Sequence, residues 1–377
     1  MAMTPAGREQ RSAIGMCIAI RRAMSRTNLL FALFLVTTAC TAVDDSSWDE
    51  EAIQESASAL SLTFEPFATH PSIAAQPEFG RRISDIAVQG NRLILGYGDY
   101  NANTGPIDVA ALDATTGAAS VLLSQTPTEA ILTYRTLDGV IYGPETDPRT
   151  DHSQPAGYAS SEGGWHSVRQ TPAVHLYDIS KVGTKLVLVG SESLGGAGAA
   201  VAYVSSDNGA TWQKGQSETA DDPADNYERY YWAVNLNGKV YMQGRGSNKV
   251  FPVKIFDGTS WKTGTTNNIC FSFEGHTVEA FNGLLYCATS ISDGSRSTGG
   301  FNMRDWFKHG AHLYGVDSTG KVVRTNGVPG KGRTRGLTVT WETIGQGPAD
   351  ALSIAIVNGR VFLGRADGSV VVSTTSI

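Results

Sequence analysis

One pattern constrains this chain more than any other: an apolar alternating segment that runs into a tight turn and out into a second apolar segment, again and again. Copies stand at 83–96, 132–142, 177–190, 231–244, 276–288 and 352–364. Alternation of period two marks strands with one face buried, and a short turn between two such runs marks a β-hairpin. Three of the six turns are Asn-Gly, at Asn237-Gly238, Asn282-Gly283 and Asn358-Gly359. Both residues of that dipeptide tolerate the positive φ that a two-residue hairpin turn demands. The spacing between copies is about 45 to 55 residues until the last interval, which is longer and is read as holding an insertion. Sequence repeats of this period signal solenoids, propellers or arrays.

Each unit continues into a second hairpin with its own turn: 113–117, Ser161-Glu162-Gly163-Gly164-Trp165, the 207–212 turn, Asp257-Gly258-Thr259-Ser260-Trp261, and 317–320. Four strands per repeat make a propeller blade. The expected fold is therefore all-β, a single β-propeller of about six four-stranded blades over residues 61–377, or seven if 321–347 contain another. Composition agrees. The 42 Gly and only 18% charged residues suit many short strands and tight turns better than helices. The last segment, 369–373, supplies a third strand to its blade, and Leu62-Thr63-Phe64-Glu65-Pro66-Phe67 is the candidate to complete it. Sharing a blade between the two termini would remove an exposed sheet edge.

The copy Ser205-Ser206-Asp207-Asn208-Gly209-Ala210-Thr211-Trp212 resembles the Asp-box of sialidase-like (BNR-repeat) propellers, Ser-x-Asp-x-Gly-x-Thr-Trp. The resemblance implies a structural role for Ser205, Asp207, Gly209 and Trp212. The carboxylate would accept backbone N–H groups within the turn, the glycine would take the left-handed conformation, and the indole would pack between blades.

The N-terminus reads as an export signal. Arg21, Arg22 and Arg26 precede an apolar run over 29–36, too short to span a bilayer. Thr37-Thr38-Ala39-Cys40 follows and resembles a bacterial lipobox, which implies a signal peptide over 1–39, acylation of Cys40 and, with Thr41 next, an outer-membrane lipoprotein of the cell envelope. Position 37 is Thr where lipoboxes carry Leu, so ordinary cleavage and a secreted soluble product form the alternative. Residues 41–60 hold six acids and no base, and are read together with Cys40 as a disordered tether. Removal of 1–39 takes away five Arg and one Glu, leaving 25 basic and 35 acidic residues, a formal charge of −10. Nucleic acid is excluded as a partner on that balance, because phosphate binding needs a basic surface. The expected partner is a glycan or a cell-envelope protein, bound by a monomer. In an oxidising compartment Cys270 and Cys287, flanking one hairpin, are expected to form a disulfide, with two buried free thiols as the alternative.

Ligand sites in a propeller gather at the mouth of the ring. Among the residues on loops there, Tyr97, Asp99, Tyr100, His175, Tyr231, Arg245, His276, Arg304 and Trp306 are the candidates for ligand binding, and Arg82 enters the first copy. The segment 292–312, with Arg304 and Trp306, is the stretch least explained by the repeat. Asp99-x-Asn101-x-Asn103 has the oxygen spacing of a calcium loop but lacks its Gly and its closing Glu, so an Asx turn is the preferred reading and no cofactor is expected. His309 and His312 form a weak zinc pair. An enzyme is the alternative to a binding or scaffold module. A polysaccharide lyase would use His276 as base, Tyr231 as acid and Arg245 on the uronate. A sialidase-like hydrolase would draw on Arg82, Arg245, Tyr231, Glu228 and Asp99, but Arg82-Ile83-Ser84 stands where that family has Phe-Arg-Ile-Pro.

Overall fold

The computed structural model describes the backbone of residues 53–377 apart from 103–104, 149–154, 172, 193–197, 220–227, 248, 265–268, 271, 273–274, 296, 301, 328–336 and 338, and side chains from residue 61. The signal peptide, Cys40 and most of the acidic tether lie outside the described residues, as does Asn103.

The described strands form seven sheets arranged as blades. Blade 1 spans 85–126, blade 2 135–168, blade 3 175–219, blade 4 229–263, blade 5 279–299 and blade 6 303–346. Blade 7 is made of Ala351–Val357, Arg360–Arg365 and Ser369–Ser373, with Phe64–Thr69 as its outermost strand, antiparallel to Ser369–Ser373. The two ends of the domain thus meet in one sheet and close the ring. A further strand, Ile53–Leu62, runs parallel to Val339–Gln346 on the outer edge of blade 6, so eight residues read as tether are strand.

Blade 6 occupies what the sequence presents as an insertion. Blade 5 has contracted to four strands of three residues each. Met303–His309 and His312–Asp317 are then the first hairpin of blade 6, and the 317–320 turn joins that blade's second and third strands. Its first strand, Met-Arg-Asp-Trp-Phe-Lys-His, alternates poorly and turns on Gly310-Ala311, which hides it from a search for apolar runs around Asn-Gly.

In all seven blades the first turn residue has positive φ: Gly90, Asp138, Gly183, Asn237, Asn282, Gly310 and Asn358, between 46° and 61°. That fixed point reveals a second regularity. Five residues ahead of it stand Asp85, Thr133, Asp178, Trp232, Thr277, Asp305 and Ser353, all on or leading into the innermost strands. The three aspartates bridge blades. Tyr134 N–H donates to Asp85 Oδ2 (2.5 Å), Ala233 N–H to Asp178 Oδ2 (2.9 Å) and Ile354 N–H to Asp305 Oδ2 (2.9 Å), while Ser353 Oγ donates to Ile83 O (2.8 Å). Innermost strands have backbone donors facing the ring axis with no neighbouring strand to accept them, and a buried N–H left alone is costly. The carboxylates meet that need and tie blade 1 to 2, 3 to 4 and 6 to 7.

Between blades the filling is apolar and aromatic. Tyr286 of blade 5 packs against Trp306 and Trp341 of blade 6, with ring centroids 5.5 and 5.8 Å away. In the 205–212 turn, Thr211 donates its N–H to Asp207 Oδ1 (2.9 Å) and its hydroxyl to Oδ2 (2.6 Å), holding that carboxyl down at about 2. Gly209 has φ 87°, and Trp212 packs edge-on against Tyr158 of blade 2 at 6.0 Å. Cys270 and Cys287 are joined as a disulfide, Cα to Cα 5.4 Å, pinning the small blade 5 to the segment that leads into it.

Candidate functional site

Two cavities lie along the ring axis and share one residue, His276. The outer one, at the mouth, has a volume of about 200 Å³ and is lined by Phe79, Arg82, Ser84, Gly98, Tyr100, Leu132, His276, Thr277, Met303, Arg304 and Leu352. The inner one, about 400 Å³, is the axial channel, lined by the innermost strands of blades 1 to 4 and 6 and by His276 and Glu279 of the blade 5 region. His276 lies in a single 3-10 turn, Gly275–Thr277, ahead of blade 5, and is buried. Its backbone N–H donates to Thr133 Oγ1 across the ring (3.3 Å).

The mouth is assembled from the chain that precedes blade 1. Proline opens the short helix α1, Pro71–Ala74, capped by His70, whose Nδ1 accepts from Ser72 N–H (3.1 Å). A 3-10 turn, Phe79–Arg81, then delivers Phe79 and Arg82 to the rim. Gly80 allows close approach there, since a Cβ on it would come within 2.9 Å of Asp99 Cβ. The result is a T-shaped pair of Phe79 and Tyr100, centroids 5.9 Å apart, each residue 38% exposed. Two large aromatic rings left in water at the same spot stand out in a protein that buries most of its large apolar side chains. The Arg82 guanidinium lies over Phe79, 5.1 Å from the ring centre. Arg304 Nη1 donates to Ala349 O (3.0 Å) and Ala351 O (2.6 Å), which fixes it at the start of blade 7.

The channel below is built from charges that satisfy one another. Arg135 makes a two-pronged contact with Asp178, 2.8 Å at both oxygens, and donates to Gly275 O (2.7 Å) and Val278 O (3.0 Å). It also reaches Glu279 at 3.5 Å, and Lys308 meets Glu279 at 2.9 Å. Burial opposes ionisation of Glu279, yet Lys308 and Arg135 outweigh it and hold that carboxyl below its ordinary range. Asp85 and Asp305 differ. Burial raises both, Asp305 is raised further by the neighbouring Asp85 charge, and His276 acts on both in the opposite sense.

Of the residues nominated from sequence, Tyr100, His276 and Arg304 meet in the mouth cavity, together with Arg82. Trp306 does not: it is a blade 6 strand residue, buried against Trp341, its centroid 5.4 Å away, because 292–312 is blade structure rather than a loop. Tyr97 is also a core residue, its hydroxyl accepting the Asp108 N–H within blade 1 (3.1 Å). Tyr231 packs on Tyr177 (5.0 Å) in an aromatic group with His175, whose Nδ1 bonds Thr146 O at 3.0 Å and pairs with Asp147 at 3.2 Å. Arg245 donates to its own loop, at Gly246 O and Ser247 O. Of the nominated lyase set, His276 lines the mouth cavity and the channel, and Arg245 and Tyr231 line neither. Asp99 closes an Asx turn, accepting from Asn101 N–H (2.9 Å) and Ala102 N–H (3.0 Å). Among the described residues no group of three or more His, Cys, Asp or Glu is arranged to hold a metal ion. His309 and His312 face each other across their turn, each about 6 Å from the Tyr314 ring.

Sequence reasoning missed Phe79, and it missed the channel aspartates. The latter leave a signal that could have been read: an Asp at a constant offset before three of the turns.

The chain is a seven-bladed β-propeller. Its overall fold is similar to that of virginiamycin B lyase from Staphylococcus aureus, at 10% identity over 84% of this chain and 99% of that one, TM-score 0.50. More distant likenesses include BamB from Moraxella catarrhalis, at 14% identity over 78% and 84% of the two chains, TM-score 0.38, and the polysaccharide lyase Uly1, at 10% over 83% and 97%, TM-score 0.42. Identities this low speak to fold alone. No protein-family model and no curated protein sequence matches the chain.

Proposed function

We propose that this protein is an exported propeller, anchored at the cell envelope through Cys40 or secreted, that binds a ligand at its mouth, with a glycan as the favoured ligand and a protein as the other. The observation that carries the reading is the exposed Phe79–Tyr100 pair on the rim of the mouth cavity. Flat aromatic faces beside polar groups suit a sugar ring, which presents C–H bonds on one face and hydroxyls at its edge. A glycan and polysaccharide array with the purified protein, read for both retention and product release, tests it. Retention without cleavage supports a binding module, whereas silence on every glycan favours a protein partner.

An enzymatic reading has one observation in its favour. His276 sits at the junction of the two cavities, in the electrostatic reach of two buried carboxylates, where a proton acceptor or donor would touch a ligand in the mouth. Released unsaturated or reducing sugar, abolished in His276→Ala, would replace the binding reading with that one.

A further inference from the structure

We infer that the mouth selects a negatively charged sugar, an acidic polysaccharide whose carboxylate or sulfate ester sits between Arg82 and Arg304 while a ring lies on Phe79 and Tyr100. The inference rests on the glycan reading above and deepens it.

The chain beyond residue 39 carries ten more acids than bases, yet the mouth cavity is lined by two arginines and a histidine and by no aspartate or glutamate. Elsewhere the partly buried guanidiniums of Arg135, Arg169, Arg324, Arg360 and Arg365 each meet a carboxylate. Arg82 and Arg304 meet none among the described residues: the first is held by an aromatic face, the second by two carbonyl oxygens. These contacts orient the two side chains without neutralising them. Asp99 is committed to its own turn and Asp350 to Arg365 at 3.0 Å. A pair of positioned guanidiniums with unspent donors, Arg82 exposed on the rim and Arg304 half-buried beneath it, favours an oxyanion that takes two hydrogen bonds at once. The cavity's 200 Å³ is below the roughly 300–1,000 Å³ of a pocket for a drug-sized ligand. It encloses one ring and leaves the rest of a polymer along the rim.

Isothermal titration calorimetry of the purified protein against oligogalacturonate, sulfated dextran, uncharged dextran and free galacturonate tests this, with the variants Arg82→Gln, Phe79→Ala and, as a charge-matched control, Arg92→Gln at the far end of blade 1. The expected result is at least tenfold tighter binding of an acidic polymer than of uncharged dextran, weakening as salt rises. Arg82→Gln should remove most of that preference, Phe79→Ala should weaken all sugars, and Arg92→Gln should change neither. Preference between the carboxylated and sulfated polymers identifies the anion, and galacturonate binding as tightly as its polymer would narrow the ligand to a small acid. Uncharged dextran binding as tightly as the acidic polymers, with Arg82→Gln unaffected, overturns the inference and leaves the glycan reading standing. No binding of any sugar, with the variants folded, overturns both.

Discussion

The two cavities on the axis are a few residues apart along the same inner strands and treat charge in opposite ways. In the channel, Arg135, Asp178, Glu279 and Lys308 complete one another's hydrogen bonds, and the aspartates accept N–H groups from neighbouring blades. In the mouth, Arg82 and Arg304 are oriented but have no counter-ion among the described residues. Charge spent on internal partners holds the ring together, and charge oriented but unspent is available to a ligand. Blade 5 links the two regions, since the segment around it supplies His276 to both cavities and Glu279 to the channel.

The comparison breaks first in the channel if it is wrong. Asp178→Ala leaves the Arg135 guanidinium buried beside its lost partner and strips the acceptor from Ala233 N–H, a loss of about 3–5 kcal/mol. Thermal unfolding should show a large fall in Tm, with mouth affinity retained in whatever fraction stays folded. A Tm within a degree of the parent would mean that the channel charges are not structural.

Next comes the disulfide, closing a loop of 17 residues. Replacing Cys270 and Cys287 together by Ser should cost about 3 kcal/mol on the chain-entropy account. Because blade 5 serves both cavities, this variant should lose stability and mouth affinity together, unlike Asp178→Ala. Unchanged affinity at equal occupancy of the folded state would separate His276 from the site.

Much of this architecture was legible in the residues. The hairpin pattern and the closing role of the stretch around Phe64 follow from alternation and turn chemistry, which are local. Blade 6 was not legible as a first hairpin, because Met303–His309 carries Arg, Asp, Lys and His where an alternating strand carries apolar residues, and its inward Asp305 is paid for by a partner 49 residues away. The mouth was half legible. Tyr100, His276 and Arg304 are polar or aromatic residues beside strand ends, but Trp306 resembles them in type and is core, and Phe79 looks like core and is exposed. Which side of a blade a residue faces depends on the neighbouring blade, and nothing local encodes that.

A third prediction concerns Glu129, buried at the edge of the mouth region with neither carboxylate oxygen accepting a hydrogen bond from a described residue. Burial, then Asp147 and Asp99, push it up to about 8. Its folded-state pKa exceeds the unfolded one, so the folded state takes up a proton and stability is lost as pH rises from about 4.5 through 8. Glu129→Gln should therefore match the parent near pH 4 and unfold several degrees higher near pH 9. Equal Tm values at pH 9 would show the carboxyl to be solvated or paired. The smallest effect belongs to Arg82→Gln, whose Tm should stay within about a degree of the parent, since it loses only a cation–π contact worth about 0.5–1 kcal/mol at an exposed site.

The division between a structural channel and a binding mouth is tested most directly by hydrogen–deuterium exchange of the protein with and without a saturating acidic oligosaccharide. The account predicts slowed exchange over 79–84, 98–100 and 303–304, with 135–137, 178–180 and 233–235 unchanged. Protection confined to the channel strands or to the outer faces of the blades, with the mouth segments unaffected, would contradict it.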